Sequence, residues 1–256
     1  MSVLSHLQSR ASSGVLSGPE KTSIDTSIAT LNSRIGSYFG SNLVSQFRFG
    51  SSTRGTILPR SMDVQSDIDY MIVLKEDGSV PQTYLDRIKR FAEKYYSRSE
   101  IKQSSPSIVL ELNHIKFDLV PATEAWWSGY KIPNGVGSWQ DTNPNDFNKV
   151  LEEKNKDNAN LIKPTIRLAK YWNAKNGYVF DSFSFEKWII DQSFWLSSNL
   201  KDYLFDVFDK LPVSYDMVQW RRDKVNRAKQ VANNVRDYEK NGYPATAEEE
   251  VKKLIP

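Results

Sequence analysis

The chain has 256 residues, of which 39% are hydrophobic and 25% charged, values typical of a globular protein with a sizeable core. It has no cysteine, which excludes disulfides and thiolate metal sites, and only two histidines, so any metal must be bound largely by carboxylates. Oxygen ligands of that kind favour Mg²⁺ or Mn²⁺. The net charge of +3 suits a small anionic substrate and does not by itself indicate a nucleic-acid surface.

The first third of the chain alternates between helical and strand patterns. Residues 1–20 are rich in Ser and Gly and are expected to form a flexible N-terminus. Apolar residues at three- and four-residue spacing predict a helix over 24–39, and alternation predicts a strand over 43–49. A polar loop from Gly50 to Ser66 leads to a second predicted strand over 67–74.

A predicted amphipathic helix over 83–97 is followed by a hairpin around Asn113-His114. Trp126 to Asn148 shows no clear periodicity and is expected to be a structured loop. Beyond it the pattern is helical, with predicted helices over 161–175, 184–199 and 219–240. On the second of these, Trp188 and Trp195 are expected in the core.

These elements predict an α+β protein built from two lobes. Residues 21–150 would form a catalytic core and residues 151–256 a helical C-terminal lobe, with the active site in a cleft between them. No apolar run approaches the ~20 residues needed to span a bilayer, so no membrane contact is expected, and the expected compartment is the cytoplasm.

Three aspartates carry the strongest chemical signal. Asp67 and Asp69 are two residues apart on one predicted strand, so both leave the same face, and Asp118 occupies a similar place on another. Like charges at that range repel by a few kcal/mol per pair at an effective dielectric of about 20. Two divalent cations would neutralise the cluster and clamp both oxygens of an in-line displacement.

A lone Asp-x-Asp is more often the solvated start of a strand, so its context decides the interpretation. The Gly50-Ser51 turn comes after one strand and before the acidic pair, where backbone N–H groups and a hydroxyl are presented to a phosphate. The order strand, Gly-Ser, Asp-x-Asp, strand, Asp is far more specific than either part. It predicts a nucleotidyl-transfer centre.

These motifs resemble the nucleotidyltransferase superfamily typified by DNA polymerase beta. Three segments are similar to one branch in particular: Phe49 to Thr56 (FGSSTRGT), Ser66 to Asp69 (SDID) and Lys116 to Pro121 (KFDLVP). That branch contains oligoadenylate synthase, cyclic GMP-AMP synthase and their bacterial relatives, the CD-NTases. The resemblance implies a polymerase-beta-like sheet with helices and a C-terminal helical lobe.

The second half carries further similarity. Ile166 to Asn173 (IRLAKYWN) resembles the family's helix with a triphosphate-binding lysine, which maps to Lys170, and Ser182 to Glu186 (SFSFE) resembles the motif whose serine, here Ser182, approaches the phosphates. Trp139 to Pro144 (WQDTNP) is similar to a central family segment. Taken alone, the basic stripe that contains Lys170 would more often be a solvated helix face.

The resemblance implies a metal-dependent synthase that joins nucleoside triphosphates, ATP, GTP or pyrimidine nucleotides, into a linear and then cyclic second messenger. Two Mg²⁺ or Mn²⁺ ions would be bound by Asp67, Asp69 and Asp118. In bacteria such products activate a separate effector protein in anti-phage defence. The chain is expected to be a monomer that does not bind nucleic acid.

Two rival functions share the fold. A terminal transferase that extends RNA 3′ ends would need a broad basic surface, against which the small net charge speaks. A non-catalytic nucleotide or RNA sensor would be expected to lose carboxylates, and all three are present.

Overall fold

The computed structural model describes residues 2–127 and 129–256. Met1 and Ser128, which fall in the predicted flexible N-terminus and the predicted loop, lie outside this part of the chain. The helices are α1 Val3–Ser13, α2 Gly18–Phe39, α3 Ser51–Arg54, α4 Pro81–Tyr95, α5 Asp146–Asp157, α6 Ile162–Lys175, α7 Ser182–Ile190, α8 Leu200–Lys210, α9 Gln219–Lys240 and α10 Pro244–Lys252. The strands are β1 Leu43–Phe49, β2 Asp67–Leu74, β3 Glu100–Ser104, β4 Ser107–Glu111, β5 Lys116–Glu124, β6 Tyr130–Asn134 and β7 Ser138–Thr142. The predicted α+β class is confirmed.

The chain divides into two compact units. The sheet unit comprises residues 16–60 and 64–150, and the helical unit comprises residues 1–15, 61–63 and 151–256. The helical unit therefore includes the N-terminal residues, which the sequence did not predict.

The sheet unit is organised around a mixed sheet with strand order β1-β2-β5-β4-β3. β2 and β5 are parallel, and the other pairs of this path are antiparallel. The predicted hairpin is present as β4 and β5. The β6–β7 hairpin is joined to the end of β5 at Thr123 and Glu124.

One face of the sheet is buried beneath α2 and α4. Every second residue of β2 from Ile68 onward joins the core formed with these helices, as do Phe117 and Leu119 of β5. α2 begins at a capping box in which Ser17 and Glu20 satisfy each other's backbone N–H groups. The apolar residues of β2 thus point from the sheet into the core, as their alternation in the sequence predicted.

The opposite face of the sheet changes character along its length. Beyond Asp69 on β2 and Asp118 on β5, the side chains on this face are apolar. They form a small second core with Ile132 of β6, and the strand residues in it are Met71, Val73, Val120 and Ala122. The carboxylates thus lie where this face passes from polar to apolar.

The N-terminal segment is a packed helix, which corrects the expectation of a flexible N-terminus over 1–20. A capping box at Ser2 begins α1, and Leu7 is fully buried. His6 Nε2 lies 2.7 Å from the carbonyl oxygen of Ile255, so α1 is tied to the last residues of the chain. Ser and Gly suggested disorder because the apolar stripe of α1 is short.

Two further expectations are wrong. The predicted loop over 126–148 contains the β6–β7 hairpin and the start of α5, both missed because their exposed residues give no periodic signal. The helix predicted over 184–199 spans Ser182–Ile190, and Asn199 instead caps α8 through its side-chain oxygen. Trp195 belongs to the segment of chain that connects these two helices. It is 91% exposed, so it is not part of the core.

Candidate active site

The three predicted carboxylates lie on one face of adjacent strands. In the parallel pairing of β2 with β5, Asp69 is the register partner of Asp118, and Asp67 that of Lys116. Register partners in a pleated sheet point to the same side, so Asp67, Asp69 and Asp118 share the face opposite the main core. The structure therefore places the three aspartates that the sequence pattern singled out on one face of the sheet.

Asp118 is held in an environment that disfavours its charge. Burial, and next the negative charge of Asp67, raise the pKa of Asp118 from 3.8 to about 6, while Lys116 acts in the opposite direction. Its Oδ1 atom is buried and has no hydrogen-bond partner among the described residues. An orphaned carboxylate oxygen of this kind costs free energy unless a cation completes it.

Lys116 offsets part of the negative charge. Its Nζ lies 3.2 Å from Oδ2 of Asp67, and both side chains are partly exposed. The cluster is therefore acidic in sum, with one fixed ammonium at its edge.

The carboxylate oxygens have the chemistry that a divalent cation requires, although they are not arranged as a preformed binding site. Within residues 2–127 and 129–256, no three His, Cys, Asp or Glu side chains converge as a ready-made metal site. The oxygen donors on one sheet face and the orphaned Oδ1 of Asp118 are nevertheless what a hard cation requires.

The Gly50-Ser51 turn packs directly against this site. Because Phe49 pairs with Asp69 across β1 and β2, the turn after β1 begins beside that carboxylate. Gly50 has φ +72°, and a Cβ built on it would lie 1.8 Å from Oδ2 of Asp69. Only glycine permits both the backbone angle and the close approach.

The turn continues into α3, a four-residue helix rather than the predicted polar loop. The backbone N–H groups of Thr53 and Arg54 donate to the carbonyl of Gly50, at 3.2 and 3.3 Å, which fixes the geometry of the turn. The backbone N–H groups in the first turn of a helix point towards its N-terminus. The N–H of Ser51 therefore points towards the Gly50 end of α3.

Sequence reasoning missed the residues that support this turn. The Arg54 guanidinium is buried over the ring of Phe147, with 5.3 Å between the guanidinium carbon and the ring centroid. Asn148 Nδ2 donates to Oγ1 of Thr53 at 3.3 Å, and within the part of the chain that the structure describes, Oδ1 of Asn148 is buried without a partner. The start of α5 thus braces α3. The basic residue in the Gly-Ser motif was the only available signal.

Lys170 and Ser182 belong to the helical unit. Lys170 on α6 is buried and donates from Nζ to Oε1 of Glu186 at 2.8 Å. It is therefore not on a solvated helix face, the alternative that a basic stripe suggests. Ser182 is the exposed first residue of α7, whose N-cap is Asp181.

In the described part of the chain, no helix is both long enough and apolar enough to cross a membrane.

Comparison with known proteins identifies the family. A family model described as "Second Messenger Oligonucleotide or Dinucleotide Synthetase domain" matches residues 1–155, more than half of the chain. The chain belongs to this family. The resemblance to CD-NTases inferred from the sequence is thereby confirmed.

Relatives of this second-messenger synthetase domain agree with the match. A probable cyclic nucleotide synthase of Bacillus cereus (strain VD146) is 28% identical over 207 residues, which cover 65% of this chain and 61% of the relative. A cyclic AMP-AMP-AMP synthase of an Acinetobacter species is 29% identical over 97 residues, covering 38% and 28%. The alignments thus span less than two thirds of the length of either curated relative.

The fold agrees as well. The structure of E. coli MS115-1 CdnC with ATP superposes with a TM-score of 0.72 at 16% identity, and the match covers 98% of this chain and 97% of that one. The polymerase-beta-like architecture expected from the motifs is therefore present along nearly the whole chain.

Proposed function

We propose that this protein is a metal-dependent nucleotidyltransferase that joins nucleoside triphosphates into a cyclic oligonucleotide second messenger. The observation that carries the proposal is the set of three aspartates on one sheet face, with a buried orphaned oxygen on Asp118 and the Gly50 turn against Asp69. Family membership supports the choice of this chemistry over other metal-dependent reactions.

The proposed reaction is a phosphoryl displacement. The oxygen of an acceptor ribose hydroxyl forms a bond to the α-phosphorus of a triphosphate. The bond from that phosphorus to the α–β bridging oxygen breaks, pyrophosphate leaves and the hydroxyl proton passes to water. A second displacement within the linear product would close the ring.

Each predicted residue has a role in this scheme. Asp67 and Asp69 would bind two Mg²⁺ or Mn²⁺ ions, and Asp118 would complete one of them. Bound divalent ions supply a lowered pKa at the acceptor hydroxyl and neutralise charge on the phosphates. The Gly50-Ser51 turn would donate hydrogen bonds to phosphate oxygens.

The remaining substrate contacts lie on the helical unit. Lys170 would offset charge on the triphosphate, and Ser182 would donate a hydrogen bond to it. Positioning of the two reactants by such contacts accounts for a large part of the rate in reactions of this kind.

Family membership supports the proposed biological role. By similarity to relatives named as cyclic nucleotide synthases, ATP or GTP is the proposed donor, with pyrimidine nucleotides as further candidates. The proposed product activates a separate effector protein in bacterial anti-phage defence. We propose a monomer acting in the cytoplasm.

The product decides between this function and RNA-terminal transfer. The protein would be incubated with four α-labelled nucleoside triphosphates and Mg²⁺ or Mn²⁺, with and without RNA, then treated with phosphatase and analysed by mass spectrometry. We expect a small phosphatase-resistant product whose yield does not depend on RNA. Label found only in the added RNA would contradict the proposal and favour a terminal transferase.

A further inference from the structure

A buried ion pair links two helices of the helical unit. Lys170 on α6 and Glu186 on α7 approach to 2.8 Å, and their side chains are only 7% and 1% exposed. A second ion pair of α6, Lys163 with Glu152, lies nearer the surface, with side chains 25% and 46% exposed. Both are lysine–glutamate pairs, but only the first is desolvated.

Stability alone is a weak reason for such a pair. The cost of removing two charges from water can exceed their attraction, and well-packed apolar residues of similar volume often serve equally well. Deletion of one partner is different, because it leaves a buried charge without compensation. A buried pair near residues of a proposed site therefore points to a use for one of its charges.

The backbone around the pair is fixed independently of it. Asn173, which is buried one turn after Lys170, donates from Nδ2 to the carbonyl of Phe180 and accepts from its N–H, at 2.9 and 3.0 Å. Asp181 then caps α7 by accepting from the N–H of Ser184 at 2.8 Å. These bonds set α7 against α6 before the side chain of Glu186 is considered.

We propose that Glu186 is a positioning residue, whose carboxylate holds the ammonium of Lys170 in place for the triphosphate. This inference rests on the proposed function. An ammonium carries three donors, and a carboxylate 2.8 Å away defines where the remaining N–H bonds point. Loss of the carboxylate removes this charged end point for the flexible four-carbon stem of lysine.

The test compares one substitution at two ion pairs on the same helix. Glu186→Gln keeps the shape of the side chain and removes its charge, and Glu152→Gln makes the same change at the exposed pair. We expect Glu186→Gln to raise KM for the nucleoside triphosphate about tenfold, the loss typical of one charge-assisted hydrogen bond. Glu152→Gln should leave KM unchanged.

Calorimetry separates positioning from a structural role. Binding of a nonhydrolysable nucleoside triphosphate analogue should weaken in Glu186→Gln, whereas binding of the corresponding monophosphate should not change. If the pair had a purely structural role, Glu186→Gln would lower the melting temperature. The difference in affinity between the triphosphate analogue and the monophosphate would then be the same as in wild type. Unchanged KM and unchanged triphosphate binding in folded Glu186→Gln would overturn the inference.

A second variant covers the case in which Glu186→Gln does not fold. Glu186→Asp retains the charge and withdraws it by one methylene, so triphosphate binding should fall between the values for wild type and Lys170→Ala. Binding equal to wild type in Glu186→Asp would overturn the inference. The absence of any nucleotide product from the wild-type protein would instead contradict the proposed function, and the calorimetric comparison would still test the pair.

Discussion

Gly50 and Asp69 show how closely the backbone and a carboxylate are packed at the proposed site. Gly50→Ala would introduce a Cβ 1.8 Å from Oδ2 of Asp69, so the carboxylate must move. Displacement of a reacting group by about 1 Å costs on the order of 100-fold in rate, and we expect a loss of that size in product formation.

Gly55 is the matched control for this change. It has the same φ of +72°, but a Cβ there would meet nothing within 4 Å. Gly55→Ala should therefore share the backbone strain, about 1 kcal/mol in unfolding free energy, and retain activity. Equal activity in the two variants would show that contact with Asp69 is unimportant.

Asp118 gives a prediction for stability as a function of pH. Its pKa is raised from 3.8 to about 6, so the folded metal-free protein binds the proton more tightly than the unfolded chain does. Stability therefore falls as the pH rises through this interval, and the cost is complete above about pH 6.

Asp118→Asn removes the charge that causes this cost. In EDTA at pH 7.5, urea unfolding should show the variant more stable than wild type by about 3 kcal/mol, and at pH 3.5 the difference should disappear. The variant should also lack activity. A variant less stable than wild type at pH 7.5 would contradict the burial argument.

At the residue scale, the carboxylates were predictable and their supports were not. Asp67, Asp69 and Asp118 stand out because alternation along a strand is visible in the sequence. Asn148 and Thr53 are 95 positions apart, and no local pattern relates them. The Lys170–Glu186 contact, 16 positions apart, depends on the angle between two helices, which sequence periodicity does not specify.

At the scale of elements, α1 has the largest predicted effect on stability. Leu7 is fully buried in this helix, which contacts α6, α8 and α10. Leu7→Ala should lower the free energy of unfolding by about 2 to 5 kcal/mol, as for other buried leucines. The exposed neighbour Gln8→Ala should change it by less than about 0.5 kcal/mol. Equal unfolding curves for the two variants would contradict the packing of α1 and favour a flexible N-terminus.

The brace between α5 and α3 is the second element with a testable effect. Phe147→Ala removes the ring beneath the Arg54 guanidinium, a contact that contributes about 0.5 to 2 kcal/mol. Because α3 continues the Gly50 turn, we expect KM for the nucleoside triphosphate to rise. Val150→Ala, at an exposed position of the same helix, is the control and should leave KM as in wild type. Identical KM values in both variants would contradict the brace.

Long amphipathic elements were predicted well and short polar ones were not. β2 and α9 were placed with the observed bounds because each repeats its apolar period several times. β7 has no buried residue, so nothing in its sequence distinguishes it from a loop. The end of α7 was overestimated because Trp195 continues the helical spacing although it is exposed.

At the scale of the whole molecule, the two units divide the proposed work. The sheet unit carries Asp67, Asp69 and Asp118 with the Gly50 turn, and the helical unit carries Lys170. The family match places the chain among second-messenger synthetase domains, and the structural match shows a shared fold. The identity of the bases joined depends on side chains that the motifs do not specify.

The most direct test of the account is product formation by Asp67→Asn. Wild type, Asp67→Asn and the control Asp25→Asn, which breaks the exposed ion pair with Arg48, would be compared by mass spectrometry and pyrophosphate release. We predict that wild type and Asp25→Asn form a phosphatase-resistant nucleotide product, and that Asp67→Asn forms none while it retains the wild-type circular dichroism spectrum. Full product formation by Asp67→Asn would contradict the assignment of the carboxylates as the catalytic centre.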